Sequence, residues 1–327
     1  MLKIRFPSDY NHNDYSWNGL LVDCTGLTLK DKLLFFVLKM YYRGLRLKAR
    51  GLRKACRAFG YKNRQNLPSP SKVYFMDLMA KFVGKDSMIV CEIPKYGYKS
   101  YCRTWSNFND LGVMTMHEHD ILQLFRPIKG DVVVDVGAYL GSYTLISSNL
   151  VGKSGRVVAI EGDPSHYEML DKNLKLNKTS NVTAINCMIG SKDMHITHQE
   201  FLDMYITYQE FLEKGGTDRP QFGNTIIHVN SLDNLLIKEH GISEVNWMKI
   251  DVEGAELDVL KGAHNILSNS KRIKLLIEIH GVNKLYKPIV EILNSHNFKI
   301  IFEKDIQGYR IGDRIGAEHI IAEKFDK

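Results

Sequence analysis

Hydrophobic and polar positions follow two different periods in the second half of the chain. Short solid runs of valine, isoleucine and leucine have the length and composition of strands buried on both faces. The predicted strands are VVVDVG, RVVAIEGD, NVTAINCMIG, VNWMKIDVEG, KLLIEIHG, NFKIIFEK and AEHIIAEK. The predicted helices between them are SYTLISSNLV, PSHYEMLDKNLKLN, SLDNLLIKEHG and AELDVLKGAHNILSNS. Repeated strand–helix units predict a doubly wound α/β fold with a seven-stranded, mostly parallel sheet.

A helical spacing also runs through residues 35–59, where apolar side chains recur every three or four positions. Five arginines follow the same spacing one position along: Arg43, Arg46, Arg50, Arg53 and Arg57. Between Lys39 and Arg64 there are ten Lys and Arg residues and no acid, so this segment carries the positive charge of a chain with net charge +7. Three interpretations stay open: a helix packed on the main domain, a helix on anionic lipid headgroups, and a nucleic-acid contact.

Changes of composition divide the chain into three predicted regions. Residues 1–66 form a basic amphipathic helical extension, residues 67–110 a linker and a β-hairpin, and residues 111–327 the α/β domain. The hairpin prediction rests on two short runs around a Lys-Tyr-Gly turn in SMIVCEIPKYGYKSYCRTW. ITHQEFLDM at residue 196 is nearly repeated as ITYQEFLEK at residue 206, which indicates a local duplication that lengthens a loop or hairpin.

Composition is that of a globular protein, with 44% hydrophobic and 25% charged residues among 327. The longest apolar run is far shorter than the ~20 residues needed to span a bilayer, and the first residues do not read as a secretory signal. Five cysteines without CxxC spacing predict neither a disulfide framework nor a zinc site. We therefore expect a cytoplasmic protein, with residues 35–59 as a candidate peripheral contact with an anionic membrane.

The first strand of the α/β domain ends in a carboxylate and is followed by a glycine turn, in DVVVDVGAYLGSYTL. Gly137 and Gly141 allow positive φ and a close approach of the backbone to a ligand. The dinucleotide pattern GxGxxG would need another glycine between them, and Asp135 would repel a pyrophosphate. Asp135 followed by GxxxG instead resembles the S-adenosylmethionine site of class I methyltransferases, where the ligand is cationic.

The second and third strands end in residues that suit an adenosine ligand. Glu161 ends the second strand, where a carboxylate accepts ribose hydroxyls in many nucleotide-binding folds. Asp163 begins the next helix and fits a helix cap better than a ligand. Ile189 and Ser191 lie where the third strand ends and suit the packing of an adenine ring, although a buried strand end fits them equally well.

Five ordered motifs make the chain resemble the FkbM family of methyltransferases: GDVVVDVGAYLGSYTL, NLKLN, the Leu-Asp of HVNSLDNLL, KIDVEGAELDVLKGAHNIL and LLIEIHG. The resemblance covers roughly residues 108–281. It implies a Rossmann-like class I methyltransferase that uses S-adenosylmethionine for O-methylation, often of a sugar or another polyol. The residues expected to bind this cofactor are Asp135, Gly137, Tyr139, Gly141, Glu161, Asp163, Ile189 and Ser191.

A hydroxyl acceptor requires a group that takes its proton, and acids follow the fourth strand. Asp251 ends that strand, Glu253 follows it, and His280 ends the fifth strand with a pKa expected near neutrality. These three residues are the predicted catalytic groups. Glu256 also fits a simple first-turn acid of the next helix. These side chains could hold a divalent cation, but nothing in their spacing requires a metal.

Two other functions stay open at the level of sequence. The basic segment suits an RNA methyltransferase, although its arginines lack the interleaved aromatic residues that stack bases, so a nucleic-acid partner is disfavoured. A partner subunit that binds the cofactor without catalysis would also keep this fold, but the intact set of Asp135, Glu161 and Asp251 argues for activity. A small molecule or glycan is the expected acceptor; its identity and the oligomeric state are not determined by the sequence.

Overall fold

The computed structural model describes residues 3–5, 21–23, 88–93, 96–103, 119–197, 200, 227–280, 282–305 and 318–325. The chain divides into two compact units, residues 1–117 and 118–327. The predicted basic helix at 35–59, the linker before the hairpin and most of the duplicated segment 196–214 lie outside the described residues. These three features and the predicted boundaries at residues 66 and 110 therefore stay predictions.

The first unit contains a four-stranded antiparallel sheet with the order β1-β2-β3-β4. Its strands are β1 (Lys3–Arg5), β2 (Leu21–Asp23), β3 (Met88–Ile93) and β4 (Tyr98–Arg103). β3 and β4 are joined by a turn at Tyr96–Gly97, which confirms the predicted hairpin.

The second unit alternates strands and helices, as the two periods in the sequence predict. Its strands are β5 (Val132–Val136), β6 (Arg156–Glu161), β7 (Val182–Asn186), β8 (Met188–Ile189), β9 (Met194–Ile196), β10 (Ile227–Asn230), β11 (Trp247–Ile250), β12 (Arg272–Ile279), β13 (Lys299–Asp305) and β14 (Glu318–Phe325). Its helices are α1 (His119–Leu122), α2 (Ser142–Val151), α3 (Pro164–Asn177), a π-helix (Asp233–Glu239), α4 (Glu256–Lys261), α5 (His264–Asn269) and α6 (Val282–Ser295).

Seven strands form the main sheet in the order β13-β14-β12-β11-β5-β6-β7. Neighbouring strands are parallel from β12 to β7, whereas β14 runs antiparallel to both β12 and β13. The predicted α/β fold with a mostly parallel seven-stranded sheet is confirmed. The carboxyl ends of β5, β6, β11 and β12 lie at one edge of this sheet, where a doubly wound fold binds its ligands.

Burial on both faces explains the solid apolar composition of the central strands. Val133, Val134 and Val136 of β5 are almost fully buried, and so is every residue of β11. The main core cluster joins one face of the sheet to the π-helix, α4, α5 and α6. Among the described residues, no helix combines the length and the apolar character that crossing a membrane requires.

Two predicted elements are wrong in their extent. The third strand ends at Asn186, because Met188 and Ile189 leave the main sheet and pair in parallel with β10 in a three-stranded sheet. The helix predicted after the fourth strand is two helices, α4 and α5. Asp233 caps the second one, because its carboxylate accepts the backbone N–H groups of Asn265 and Ile266 at 2.8 and 2.9 Å.

Candidate active site

Asp135 lies in the buried end of β5 with 1% of its surface exposed. The Thr144 hydroxyl donates to Oδ2 at 2.5 Å, and Lys249 Nζ lies 3.9 Å from Oδ1. Among the described residues, Oδ1 has no hydrogen-bond partner. Burial raises the pKa of Asp135, while Lys249 and Thr144 offset part of that rise. A buried carboxylate oxygen in this state suits a cationic ligand, since an unpaired buried acceptor is costly.

Gly137 and Gly141 both have the positive φ that the sequence predicts, 79° and 92°. A Cβ on Gly137 would lie 1.7 Å from the carbonyl oxygen of Asp251. The first glycine therefore lets the loop after β5 contact the loop after β11, which brings the two halves of the site together. Gly141 precedes α2, and a Cβ there would lie 2.6 Å from Leu170.

Glu161 ends β6 with 8% of its surface exposed. The backbone N–H of Tyr139 donates to Oε2 at 2.7 Å, and that of Asp163 donates to Oε1 at 2.9 Å. Burial raises the pKa of Glu161 to about 7, although the two N–H groups lower it. Each oxygen keeps a second lone pair that a ligand hydroxyl can use. The structure therefore brings Glu161 to the same glycine turn as Asp135.

The other predicted cofactor residues lie around this turn. Asp163 caps α3, because its Oδ1 accepts the backbone N–H groups of Ser165 and His166 at 2.7 and 3.1 Å. Tyr139 has a positive φ of 51°, and its ring meets that of His166 edge-on at 4.5 Å. Ile189 is buried in β8, and Ser191 follows in a half-buried position. Direct contact of these residues with a cofactor stays a prediction.

Lys249 is a site residue that the sequence reasoning missed. It lies directly opposite Asp135 in the register of β5 and β11, and its Nζ lies 2.9 Å from Asp251 Oδ2. Only 5% of its surface is exposed. The sequence did contain a signal for this residue. A lysine within a strand that is buried on both faces needs a carboxylate partner for its charge. Lys249 therefore lies close to both Asp135, which precedes the glycine turn, and Asp251, the first of the predicted catalytic groups.

The three predicted catalytic residues converge at the ends of β11 and β12. One ligand atom from each of Asp251, Glu253 and His280 lies within 4.8 Å of the other two. His280 Nε2 lies 3.4 Å from Glu253 Oε2, whose side chain is 76% exposed. Glu253 has a positive φ of 53°. The cluster thus combines a half-buried acid, an exposed acid and an imidazole.

The expected near-neutral pKa of His280 is wrong. Burial lowers the pKa, but the carboxylates of Glu253, Glu256 and Asp251 outweigh that effect and hold it well above its ordinary value. These carboxylates therefore favour the protonated, positively charged imidazole. In that form it donates hydrogen bonds and does not accept a proton.

Two further acids and a histidine surround His280. Glu256 is fully buried, and its Oε1 lies 2.9 Å from His280 Nδ1 and accepts the backbone N–H of Gly254. Glu278 Oε1 lies 3.8 Å from His280 Nε2, and its Oε2 lies 3.3 Å from His319 Nε2. For Glu256 the sequence suggested a first-turn helix acid or one of several possible ligands of a divalent cation, and it gave no signal for the strand pair of Glu278 and His319. Together, these groups make one continuous polar network around the ends of β11 and β12.

The chain is similar to known proteins in sequence and in structure. Residues 135–300 match the family model described as methyltransferase FkbM domain. The chain is 27% identical over 195 residues to methyltransferase sdnD of Sordaria araneosa, covering 52% of this chain and 74% of sdnD. It is 26% identical over 181 residues to the hexuronic acid methyltransferase AglP of Haloferax volcanii, covering 54% of this chain and 68% of AglP. Methyltransferase FkbM from Methylobacillus flagellatus KT is a similar solved structure, with 21% identity and a TM-score of 0.44; the match covers 61% of this chain and 45% of that one.

Proposed function

The chain belongs to the methyltransferase FkbM domain family, and we propose that it methylates a hydroxyl of a sugar, glycan or glycolipid-like acceptor. As a member of that family it is an S-adenosylmethionine-dependent methyltransferase; the hydroxyl and the class of acceptor are the proposal. One observation carries it: Asp251, Glu253 and His280 converge next to the buried carboxylate of Asp135 through Lys249.

Residues on the cofactor side fit S-adenosylmethionine, which supplies a methyl group on a positively charged sulfur. In this proposal the unpartnered Oδ1 of Asp135 accepts from the ammonium group of the cofactor. Glu161 accepts from the ribose hydroxyls while the N–H groups of Tyr139 and Asp163 hold its carboxylate in place. Ile189 and Ser191 are assigned to the adenine. Asn186 lies opposite Glu161 in the register of β6 and β7, and the short strand β8, which contains Ile189, begins two residues after Asn186.

An oxygen acceptor is favoured by the residues that follow β11. Methyltransferases that act on planar amides and exocyclic amines often carry a proline-rich loop at this position, whereas residues 251–256 read DVEGAE. A hydroxyl becomes a good nucleophile only when it loses its proton, so a site for it needs a basic group. The acids at this position supply one.

We assign proton removal to Asp251 among the side chains of this cluster. Lys249 holds its Oδ2 at 2.9 Å, which fixes the carboxylate at the end of β11. His280, whose protonated form the surrounding carboxylates favour, is assigned to orient the acceptor oxygen, and the exposed Glu253 to contact a neighbouring hydroxyl. Because the methyl transfer is an in-line displacement, alignment of the acceptor oxygen is the main contribution of these groups.

A sugar-like acceptor is supported by the polar, acid-rich character of the cluster and by the name of AglP, a hexuronic acid methyltransferase. Carboxylates accept hydrogen bonds from adjacent hydroxyls, which a sugar presents in pairs. Contact of residues 35–59 with an anionic membrane would suit an acceptor on a lipid carrier, and it stays a prediction.

The proposal is tested by transfer of a radiolabelled methyl group from S-adenosylmethionine to uronic acids, neutral glycans, lipid-linked sugars, amines and RNA. We expect label in a methyl ether of a sugar-containing acceptor. Asp251→Asn should lower kcat by about 100-fold or more. Asp258→Asn is the matched control, because Asp258 lies in the first turn of α4, is not a member of the cluster, and pairs with Lys261. Label only in RNA or amines, or full activity of Asp251→Asn, would contradict the proposal.

A further inference from the structure

A mixed set of oxygen and nitrogen ligands lies at the acceptor side of the site. Asp251, Glu253 and His280 each offer one ligand atom, and these atoms lie within 4.8 Å of one another. They come from the ends of two adjacent parallel strands, β11 and β12. Two carboxylates with one imidazole form a donor set that suits a divalent cation such as Mn²⁺.

Each donor is arranged so that it can face a common point. Lys249 contacts Oδ2 of Asp251, and no hydrogen bond from the described residues reaches Oδ1. His280 directs Nδ1 to Glu256, which leaves Nε2 on the side of Glu253 at 3.4 Å. A cation bound at Nε2 takes the place of the proton that the protonated imidazole carries there, and that proton is released to solvent. The Glu253 side chain is 76% exposed, so it can move to close the set without disturbing the core.

The contact between His280 and Glu256 is independent support for a ligated imidazole. Histidine ligands generally donate their second ring N–H to a carboxylate or carbonyl, which fixes the tautomer and the ring orientation. Glu256 is fully buried and is held by the Gly254 N–H, so it fixes the ring firmly. Burying a carboxylate costs free energy, and a role in orienting the His280 ring would account for the burial of Glu256.

Three carboxylates lie close to the ring nitrogens of His280. Glu253, Glu256 and Glu278 all lie within 4 Å of its ring nitrogens, and Asp251 shares Lys249 with Asp135. Oε2 of the fully buried Glu256 has no hydrogen-bond partner among the described residues. Carboxylates grouped in this way attract a cation.

We propose that Asp251, Glu253 and His280 bind a divalent cation, of the Mn²⁺ or Mg²⁺ class, that holds two adjacent oxygens of the acceptor. The role assigned to this cation rests on the proposed function, because the cation acts on the acceptor hydroxyl. Bound to the cation, the hydroxyl loses its proton to solvent more readily. An oxygen–carbon bond then forms while the carbon–sulfur bond breaks, and the sulfur keeps the electron pair and becomes neutral.

This cation changes the role of Asp251 and predicts the form of the acceptor. Asp251 acts as a ligand and no longer removes the proton itself. A cation with open positions favours acceptors that offer two neighbouring oxygens, such as a vicinal diol or a hydroxyl beside a carboxylate. Acceptors with an isolated hydroxyl should therefore be poor substrates.

The test is direct binding of Mn²⁺ to the full chain after treatment with a chelator, followed by electron paramagnetic resonance of free Mn²⁺. We expect one saturable site per chain, weakened about tenfold or more in Glu253→Gln and in His280→Gln. Glu253→Gln changes an exposed side chain, so the variant should fold. Asp258→Asn is the control and should bind Mn²⁺ like the parent.

Mn²⁺ binding that is absent, or equal in the parent and in both variants, would overturn the inference. So would a full rate of methyl transfer in the presence of the chelator, and in that case the proposed function stands with Asp251 as the base. Transfer to no sugar-like acceptor, with or without Mn²⁺, would reject the proposed function. The binding measurement decides the cation site independently of that result.

Discussion

The ammonium group of Lys249 lies 2.9 Å from Oδ2 of Asp251. The same ammonium lies 3.9 Å from Oδ1 of Asp135, on the neighbouring strand. One buried cation therefore holds a carboxylate on the cofactor side and another on the acceptor side. Asp251 takes the closer contact, and Asp135 Oδ1 receives no hydrogen bond from the described residues.

Replacement of Lys249 by methionine should destabilise the chain by about 3–5 kcal/mol, because it leaves buried carboxylates without their charge partner. Urea unfolding of the parent and the variant measures this loss. In the Lys249→Met background, Asp135→Asn should cost less than it does alone, with a coupling of about 0.5–3 kcal/mol. Additive effects of the two substitutions would show that the pair does not interact.

Gly137→Ala should disrupt the site more than any other single alanine in the glycine turn. Its Cβ would lie 1.7 Å from the Asp251 carbonyl oxygen, and its φ is 79°, so both the backbone and the neighbouring loop would have to shift. We expect a loss of about 3–5 kcal/mol in the free energy of unfolding, together with loss of methyl transfer.

Gly241→Ala is the matched control for this prediction, because Gly241 has a φ of 63° and no atom within 4 Å of its added Cβ. It should cost only the strain of the left-handed conformation, about 1–2 kcal/mol. Equal losses in the two variants would mean that the contact with Asp251 contributes nothing beyond backbone conformation.

The stability of the cofactor-free chain should fall as the pH rises through 7, in part because of Glu161. Its folded pKa of about 7 exceeds its ordinary value of 4.5, so the folded state binds more protons than the unfolded state between these values. The resulting stabilisation is fully present below about pH 4.5 and is lost as the pH rises through 7. Its full size is about 3 kcal/mol.

Thermal or urea unfolding between pH 5 and pH 8 measures this effect. In Glu161→Gln, the pH dependence should be smaller by about that amount, whereas Glu168→Gln, which changes an exposed acid of α3, should keep the parental slope. Glu161→Ala should also weaken S-adenosylmethionine binding by about 1–3 kcal/mol in calorimetry. Parental slopes in both glutamine variants would exclude Glu161 as the titrating group.

Replacement of Arg43, Arg46, Arg50, Arg53 and Arg57 by glutamine in the full chain should weaken sedimentation with anionic liposomes. Each basic residue near such a surface contributes about 1 kcal/mol, so the five changes should lower the partition coefficient by about 5,000-fold at low salt. Neutral liposomes should bind neither form.

A charge-matched control replaces five exposed lysines of the second unit by glutamine: Lys129, Lys153, Lys172, Lys178 and Lys271. This variant has the same net charge as the arginine variant and should sediment like the parent. Equal loss of binding in both variants would indicate a general effect of charge, and no loss in either would reject the membrane role of residues 35–59.

The sequence by itself determined the sheet and the chemistry at the ends of its strands. Short strands made mainly of valine, isoleucine and other apolar residues are typical of burial on both faces, so β5, β6 and β11 were predictable without knowledge of their neighbours. A carboxylate at the end of such a strand lies at the ligand edge in any parallel sheet, which is why Asp135, Glu161 and Asp251 could be placed.

Only the tertiary structure decided which of these groups share a partner. The pattern of apolar residues within one strand does not determine the order of the strands in the sheet. Lys249 lies between Asp135 and Asp251 because β5 and β11 are neighbours in the sheet. The register of β12 and β14 likewise pairs Glu278 with His319 from distant parts of the chain. The pKa of His280 depends on burial and on three carboxylates from separate positions, so local sequence could suggest an imidazole at the site but not its charge.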